Sequence, residues 1–458
     1  MIHKYKLNNF NIVLDTNSGA IHCVDDVCYD ILENMSGEDF KNKPSNLLLK
    51  KLLNKYDKNE IVESYNEICG LVENGQLFSQ ENEFYKKNFS FNFQITALCL
   101  NISHDCNLRC KYCFAYNGTF GSEKKLMDLN TAKKAVDFLI EKSGDMYNLE
   151  IDFFGGEPLL NFEVVKQTVY YAKNIGKKYN KKFKFTITTN GLLLNEDNIY
   201  FINEEFYNVV LSLDGRKSIN DKFRITKLKE GSYDSIVPKF KKLVESRKDK
   251  ECYVRATYTR YNLDFLQDIL HIYNLGFENL SVEPVIADCN LDYSIGEENL
   301  EKILLEYENL ANKIIEFEKE SKKINFFLYN IDLENSPCKI KRLKSCSCGN
   351  EYVAITPQGD IFPCHQFVNY SEFKMGNLYS NNFNEDLKLK FSKITIYKKE
   401  KCESCWAKFY CTGGCNANNY MFNKNICKPY EISCKIQKKK LECAIMLKFF
   451  RNFNKISV

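Results

Sequence analysis

The chain has 458 residues, of which 44% are apolar, so it is too long for one hydrophobic core and two to four domains are expected. A formal net charge of only +4 gives no sign of binding to nucleic acid or to an anionic membrane. The N-terminus has no signal-peptide pattern, and no apolar run has the length of a membrane span, so we expect a cytoplasmic protein.

The first 90 residues form a segment with its own pattern. Short strands are predicted within 4–15 and 19–24, and helices near 25–35, 46–54 and 59–73. The segment NNFNIVLD (8–15) is a plausible open strand edge. We therefore expect residues 1–90 to form a small strand-plus-helix module.

From Ala97 onward, β-type apolar runs alternate with helical patterns, which is typical of a parallel sheet or barrel. Right-handed crossovers would place the C-terminal ends of all these strands on one face, where ligands bind. We assign 91–335 to a partial barrel of six β/α units. The predicted strands are 97–103, 149–154, 183–189, 208–213, 252–258 and 279–285, with helices near 131–142, 161–176, 195–204, 234–246, 262–275 and 297–322.

The last segment, 336–458, is rich in cysteine and poor in regular pattern. Ten of the twenty cysteines lie between Cys338 and Cys434, and only a lysine-rich helix near 435–451 is predicted. A reducing cytosol would not keep so many cysteines as disulfides, so metal ligation is the leading interpretation. Such a region needs metal crosslinks in place of a core.

A compact cysteine motif follows directly on the first barrel strand: Cys106, Cys110 and Cys113. Three thiolates can hold three irons of a cubane and leave the fourth iron open to a ligand. A zinc knuckle is the alternative, but zinc takes four ligands and no fourth one lies nearby. The CxxxCxxC spacing, with Tyr112 before the last cysteine, resembles the radical S-adenosylmethionine (SAM) superfamily, which implies an open iron that chelates SAM.

Other strand ends carry segments that resemble SAM-binding loops of the same superfamily. FGGEP (154–158) ends the second strand, and its Gly155, Gly156 and Glu157 would let the backbone approach the SAM amino group. By resemblance, Ser212 and Arg224 contact SAM and Tyr112 packs near its adenine. Taken singly, such segments are more often ordinary turns.

The C-terminal cysteines form the pattern CxxCxxxxxCxxxC over 402–415, followed by Cys434. This resembles the SPASM domain, a twin-cluster extension of radical SAM enzymes that modify peptides. The resemblance implies three 4Fe-4S clusters in all, one in the barrel and two auxiliary. It assigns Cys402, Cys405, Cys411 and Cys434 to one auxiliary cluster, and Cys346, Cys364 and Cys415 to the other.

The fourth ligand of this other cluster stays open between Cys338, Cys348 and a free iron site. A pair of structural zinc sites is the alternative for the whole region. Cys427 and Cys443 are expected to be packed thiols. His365 follows Cys364 where related sulfatase-maturing enzymes have an aspartate base, so His365 is a candidate proton carrier or a hydrogen-bond donor to a cluster sulfur.

Long stretches narrow the subfamily. MIHKYKLN, NIVLDTNSGAIHCVDD, YDILENM, TPQGDIFPCHQFV and GGCNANNYMFN resemble maturases of the six-cysteine (SCIFF) peptides. The resemblance implies a winged-helix-like N-terminal element that binds the leader of a ribosomally made precursor peptide. It also implies formation of thioether links from a peptide cysteine to an acceptor, threonine in family members.

The expected cofactors are therefore SAM and three 4Fe-4S clusters, and the expected partners are the precursor peptide and a reductant such as a flavodoxin or ferredoxin. A peptide epimerase or a carbon–carbon crosslinking enzyme shares every cluster motif and remains an alternative. The alternative that is not an enzyme is a zinc-stabilised peptide-binding module.

Overall fold

The structure is a computed structural model that describes residues 1–40, 43–86, 93–331, 333, 339–380 and 382–456. The expected domain boundaries near 90 and 335 fall within or beside the segments outside this description. Cys338, a candidate iron ligand, also lies outside it.

The N-terminal module contains strands β1 (Ile2–Leu7), β2 (Phe10–Asp15) and β3 (Ile21–Val24), followed by helices α1 (Asp26–Asn34), α2 (Asn46–Leu52) and α3 (Lys58–Glu73). The strands form an antiparallel sheet in the order β1-β2-β3. The prediction that 8–15 offers an open edge is therefore wrong, because β2 is the central strand. Its consecutive buried residues Ile12, Val13 and Leu14 pack on both faces, as a central strand requires.

The barrel region follows the predicted β/α order: β4 (Ala97–Ser103), α4 (Leu129–Lys142), β5 (Asn148–Gly155), α5 (Phe162–Lys178), β6 (Lys182–Thr189), α6 (Glu196–Glu205), β7 (Asn208–Ser212), α7 (Lys217–Phe223), α8 (Tyr233–Arg247), β8 (Glu251–Tyr258), α9 (Phe265–Asn274), β9 (Asn279–Pro284), α10 (Leu300–Lys319) and β10 (Asn325–Phe326). The short helix α7 and the two-residue strand β10 were not predicted. Strands β4 to β10 are all parallel, which confirms the predicted α/β barrel architecture.

The C-terminal region is more regular than its sequence pattern suggested. It contributes β11 (Tyr352–Ile355), β12 (Asp360–Phe362) and β13 (Gly376–Asn377), then α11 (Glu385–Ser392), α12 (Lys408–Cys411), α13 (Asn416–Asn423) and the long α14 (Glu431–Ile456). Strand β11 pairs in parallel with β4, with Tyr352 opposite Ala97. Among the described residues, the large sheet therefore runs β10-β9-β8-β7-β6-β5-β4-β11-β12-β13, and the cysteine-rich region extends the barrel sheet.

One main hydrophobic core joins all three segments. It contains the outward faces of the barrel strands and their helices, together with Ile445 and Leu447 of α14 and Leu7 and Leu14 of the N-terminal sheet. The N-terminal helices enclose a second, smaller core around Ile61 and Tyr65. The barrel strands end together on one face, and that face carries the predicted SAM-site residues.

Candidate functional site

The cysteine loop, residues 104–118, leaves β4 at this face. Cys106 is buried, and its sulfur accepts hydrogen bonds from the Leu108 backbone N–H at 3.4 Å and from Asn190 Nδ2 at 3.6 Å. Burial raises the pKa of Cys106 and that of Cys110 to about 12, and nearby thiols add to both effects. Without a cation these thiols keep their protons, so iron binding here must displace them.

Gly155 and Gly156 hold this loop against the end of β5. A Cβ on Gly155 would lie 2.4 Å from the Ser103 carbonyl oxygen, and one on Gly156 would lie 2.2 Å from the Asp105 carbonyl oxygen. The Gly156 N–H donates to Ser103 O at 2.8 Å. Both glycines are thus required by the contact between two chain segments, a role that the resemblance to SAM-binding loops did not indicate.

Glu157 is buried, and its carboxylate accepts three hydrogen bonds. The donors are the Leu159 N–H at 3.0 Å, the Thr189 hydroxyl at 2.7 Å and the Asn190 N–H at 2.9 Å. Burial raises its pKa to about 7, although the three donors oppose that rise. Through Asn190, which also bonds Cys106, Glu157 connects the ends of β5 and β6 to the cysteine loop.

Tyr112 and Arg224 meet at Asp214, which was not among the predicted site residues. The Tyr112 hydroxyl donates to Asp214 Oδ2 at 2.5 Å, and Arg224 Nε lies 3.0 Å from the same oxygen. The Thr257 N–H donates to the other carboxylate oxygen at 3.0 Å. The only signal for Asp214 in the sequence was its place in the segment SLDG (212–215), at the end of the fourth predicted barrel strand.

The inner face of the sheet is polar at this level. In β8, Val254 and Ala256 are buried towards the helices, whereas Arg255 points into the barrel and is exposed. Strand register places Arg255 beside Ser212 on one side and Ser281 on the other. No described residue forms an ion pair or side-chain hydrogen bond with the Arg255 guanidinium, so it is available to a ligand in the barrel.

His365 connects the cysteine loop to the C-terminal region. Its ring lies 4.8 Å from the Phe154 ring and 5.7 Å from that of Phe114, which directly follows Cys113. Burial, with a smaller effect of Arg255, lowers its pKa to about 4. The imidazole is therefore neutral near pH 7, an environment that does not favour the predicted proton carrier.

The structure brings together the four cysteines that the SPASM resemblance grouped. Cys402, Cys405, Cys411 and Cys434 line one cavity of about 310 Å³. Burial, together with the neighbouring thiols, raises the pKa of Cys434 to about 12. Four thiols around one cavity match the donor set of a 4Fe-4S cluster.

In the other predicted set, Cys346, Cys364 and Cys415, the structure adds a fourth cysteine, Cys348. The interaction between the neighbouring thiols of Cys346 and Cys348 lowers the pKa of Cys346. Electrostatic interactions connect Cys364 to Cys346 and to Cys415, and Cys348 to Cys364. Of the two cysteines considered for the fourth position, the structure thus places Cys348 with this set.

Lys399 was missed by the sequence analysis and lies between the two auxiliary sets. It is 4% exposed, and its ammonium donates to the Gly413 carbonyl at 2.6 Å. It interacts with Cys402 and Cys411 of one set and with Cys346 and Cys348 of the other. No sequence motif marks a buried lysine of this kind, because its role depends on contacts between distant segments.

Cys427 and Cys443, the two cysteines expected to be packed thiols, differ in their surroundings. Cys443 is fully buried in the main core beside Tyr329, as expected for a packed thiol, whereas Cys427 lines a surface cavity.

In the described part of the chain, no three His, Cys, Asp or Glu side chains converge to hold a single metal ion. The ligands of a cubane bind different iron atoms and need not converge in this way.

Comparison with known proteins identifies two domains. Residues 100–272 match the family model of the radical SAM superfamily, and residues 346–406 match that of the SPASM iron-sulfur cluster-binding domain. A cysteine-type anaerobic sulfatase-maturating enzyme of Clostridium novyi is 28% identical over 71% of this chain and 88% of its own length. The radical SAM cyclopropyl synthase TigE of Paramaledivibacter caminithermalis is 25% identical over 83% of this chain and 87% of its own.

A solved structure supports the same fold. Streptococcus suis SuiB bound to its precursor peptide SuiA has a TM-score of 0.54 and 17% identity, covering 94% of this chain and 98% of its own. In this chain's described residues, no helix is both long and apolar enough to cross a membrane. Two parts of the chain thus match the radical SAM and SPASM family models in that order, and its relatives include an anaerobic sulfatase-maturating enzyme.

Proposed function

We propose that this chain is a radical SAM maturase that installs thioether links between a cysteine and an acceptor residue, threonine in our hypothesis, of a ribosomally made precursor peptide. The observation that carries the proposal is the contact of His365 with Phe114 and Phe154. Through it, the residue after Cys364 lies against the residue after Cys113. A peptide in the barrel would therefore meet both cysteine groups at once.

The donor sets fit the implied cofactors. Cys106, Cys110 and Cys113 would hold the radical SAM cluster, which together with SAM supplies a 5'-deoxyadenosyl radical. Cys402, Cys405, Cys411 and Cys434 would hold one auxiliary cluster. Cys346, Cys348, Cys364 and Cys415 would hold the other.

The chain's own residues contribute positioning and exclusion of water. Glu157 and Asn190 fix the cysteine loop, and the pair of Tyr112 and Arg224 on Asp214 closes its other side. Phe114, Phe154 and His365 form an aromatic wall next to it. Ser212 and Arg255 offer polar groups to SAM or to the peptide backbone.

The N-terminal module is proposed to bind the leader. Side chains of β1 contact α14, since the Tyr5 hydroxyl donates to the Glu442 carbonyl at 2.9 Å. Strand β3 pairs only with β2 among the described residues, and its far edge can accept an extended leader segment. A precursor without its leader should then bind much more weakly, which fluorescence anisotropy with a labelled peptide measures.

A second candidate is carbon–carbon crosslinking, which the similarity to the cyclopropyl synthase TigE favours.

The test of both candidates is an anaerobic reaction of the reconstituted protein with SAM, dithionite and a cysteine-rich peptide encoded beside its gene. Formation of 5'-deoxyadenosine with a peptide two hydrogens lighter per link supports crosslinking. An unchanged peptide mass would point to epimerisation, and a colourless protein with zinc in place of iron and sulfide would end the radical proposal.

A further inference from the structure

A cavity of about 420 Å³ opens on the surface of the SPASM region, on the ends of α11 and α13. Its rim carries four lysines: Lys390 in α11, Lys393 at its C-terminal end, Lys398 in the following loop and Lys424 after α13. We call this cavity the lysine pocket. All four side chains are exposed.

The charges of the lysine pocket are only partly balanced from within the protein, since Lys424 interacts electrostatically with Glu372 and Glu400 acts on the pocket residue Cys427. No described residue forms an ion pair or a side-chain hydrogen bond with any of the four ammonium groups. Lys424 lies 5.6 Å from the ring of Tyr420, whose hydroxyl donates to Glu372 at 2.5 Å. By contrast, Lys401 and Lys435, elsewhere in the same region of the chain, each form an ion pair with a glutamate. Four lysines around one concavity, none of them in a contact ion pair with a described residue, leave it with an excess of positive charge.

The floor of the pocket touches the packing around one auxiliary set of cysteines. Phe373, Ile394 and Ile426 line the pocket and belong to the hydrophobic cluster that contains Cys348. Cys364 and Cys415 pack against the same cluster. A molecule seated in the lysine pocket would thus contact the hydrophobic cluster against which these thiols pack.

We propose that the lysine pocket is the docking surface for an acidic one-electron carrier protein of the flavodoxin or ferredoxin class. The inference rests on the proposed function, since only a cluster enzyme needs such a partner. Charge complementarity selects the occupant, because these carriers present carboxylates around their redox centre and a small interface suffices for brief encounters. The cysteine set with Cys348, Cys364 and Cys415 packs on the cluster of side chains below the pocket, so a carrier docked here would lie close to the proposed auxiliary cluster.

The test compares two variants of equal charge change in the anaerobically purified holoenzyme. Lys393→Glu/Lys398→Glu changes one helix-end lysine and one loop lysine of the pocket. The control, Lys177→Glu/Lys323→Glu, changes a lysine in the last turn of α5 and a loop lysine, neither of which is paired with a described residue. Calorimetry with a purified acidic flavodoxin gives the Kd at low and high ionic strength.

The pocket variant should raise the Kd about tenfold and flatten its salt dependence, while the control stays within about twofold of the parent. An unchanged Kd in the pocket variant would overturn the proposal. So would a variant that weakens precursor binding but not flavodoxin binding, because the pocket would then be a peptide site.

A reaction driven by dithionite distinguishes failure of the docking proposal from failure of the proposed function, because dithionite needs no docking surface. If docking is at the lysine pocket, the pocket variant crosslinks the peptide normally with dithionite and poorly with reduced flavodoxin. If neither reductant yields a crosslink in the parent protein, the proposed function fails, and the binding data alone decide the docking surface.

Discussion

Replacing Glu157 with glutamine is expected to loosen the cysteine loop. The carboxylate accepts from two backbone N–H groups and one hydroxyl, at 2.7 to 3.0 Å. An amide can keep one oxygen as acceptor, but its NH₂ group then faces another donor, either the Asn190 N–H or the pair formed by the Leu159 N–H and the Thr189 hydroxyl. One lost hydrogen bond and one unsatisfied buried donor cost about 1–3 kcal/mol, of which removal of the buried charge, whose desolvation raises the pKa to about 7, offsets a part.

The loss should appear as a thermal midpoint lowered by about 1–3 °C and as a lower iron content after reconstitution, because Asn190 also bonds Cys106. Differential scanning fluorimetry and iron analysis measure the two effects. The matched control is Glu163→Gln, an exposed change in the first turn of α5. An unchanged midpoint with weakened SAM binding would refute the bracing role and indicate direct contact of Glu157 with SAM.

Three further outcomes follow. Burial, with a contribution from Glu150, raises the pKa of Asp152 to about 6, so the folded protein loses stability as the pH rises from about 4 to 6. Asp152→Asn should therefore be more stable than the parent at pH 8 by about 1–2 kcal/mol, but not at pH 4, in denaturant titrations. Lys399→Met removes a positive charge between the auxiliary sets and should lower their reduction potentials by tens of millivolts in EPR titrations. Cys348→Ala should lose the iron of one cluster while Cys427→Ala keeps it; full iron in Cys348→Ala would favour an open site or Cys338.

The barrel strands were predictable because each is a short apolar run followed by a helical pattern. Strands β11 to β13 were missed, since they have four, three and two residues. They depend on pairing with one another and on the pairing of β11 with β4, which is far away in sequence. The edge assignment for 8–15 failed for a physical reason visible in the sequence: the uninterrupted run Ile12, Val13, Leu14 is typical of a strand covered on both faces.

At the site, spacing located the cysteines but not their surroundings. The grouping of Cys402 with Cys434 came from a resemblance, and the structure places both in one cavity. Lys399 lay outside any motif, and Asp214 was marked only by its place at a strand end, because a buried carboxylate or ammonium acquires its role from partners brought together by folding. Gly155 and Gly156 were predicted to let the backbone approach SAM. In the structure, their lack of a side chain is required by their close contact with the cysteine loop.

The most direct test of the account is the fate of the peptide thiols after anaerobic reaction with SAM. Each thioether removes two hydrogens and consumes one cysteine thiol, so alkylation by iodoacetamide should fall by one group for every link. Tandem mass spectrometry should place each link between a cysteine and its acceptor. A peptide that loses two hydrogens per link and keeps all its thiols alkylatable would contradict thioether formation and identify carbon–carbon crosslinking instead.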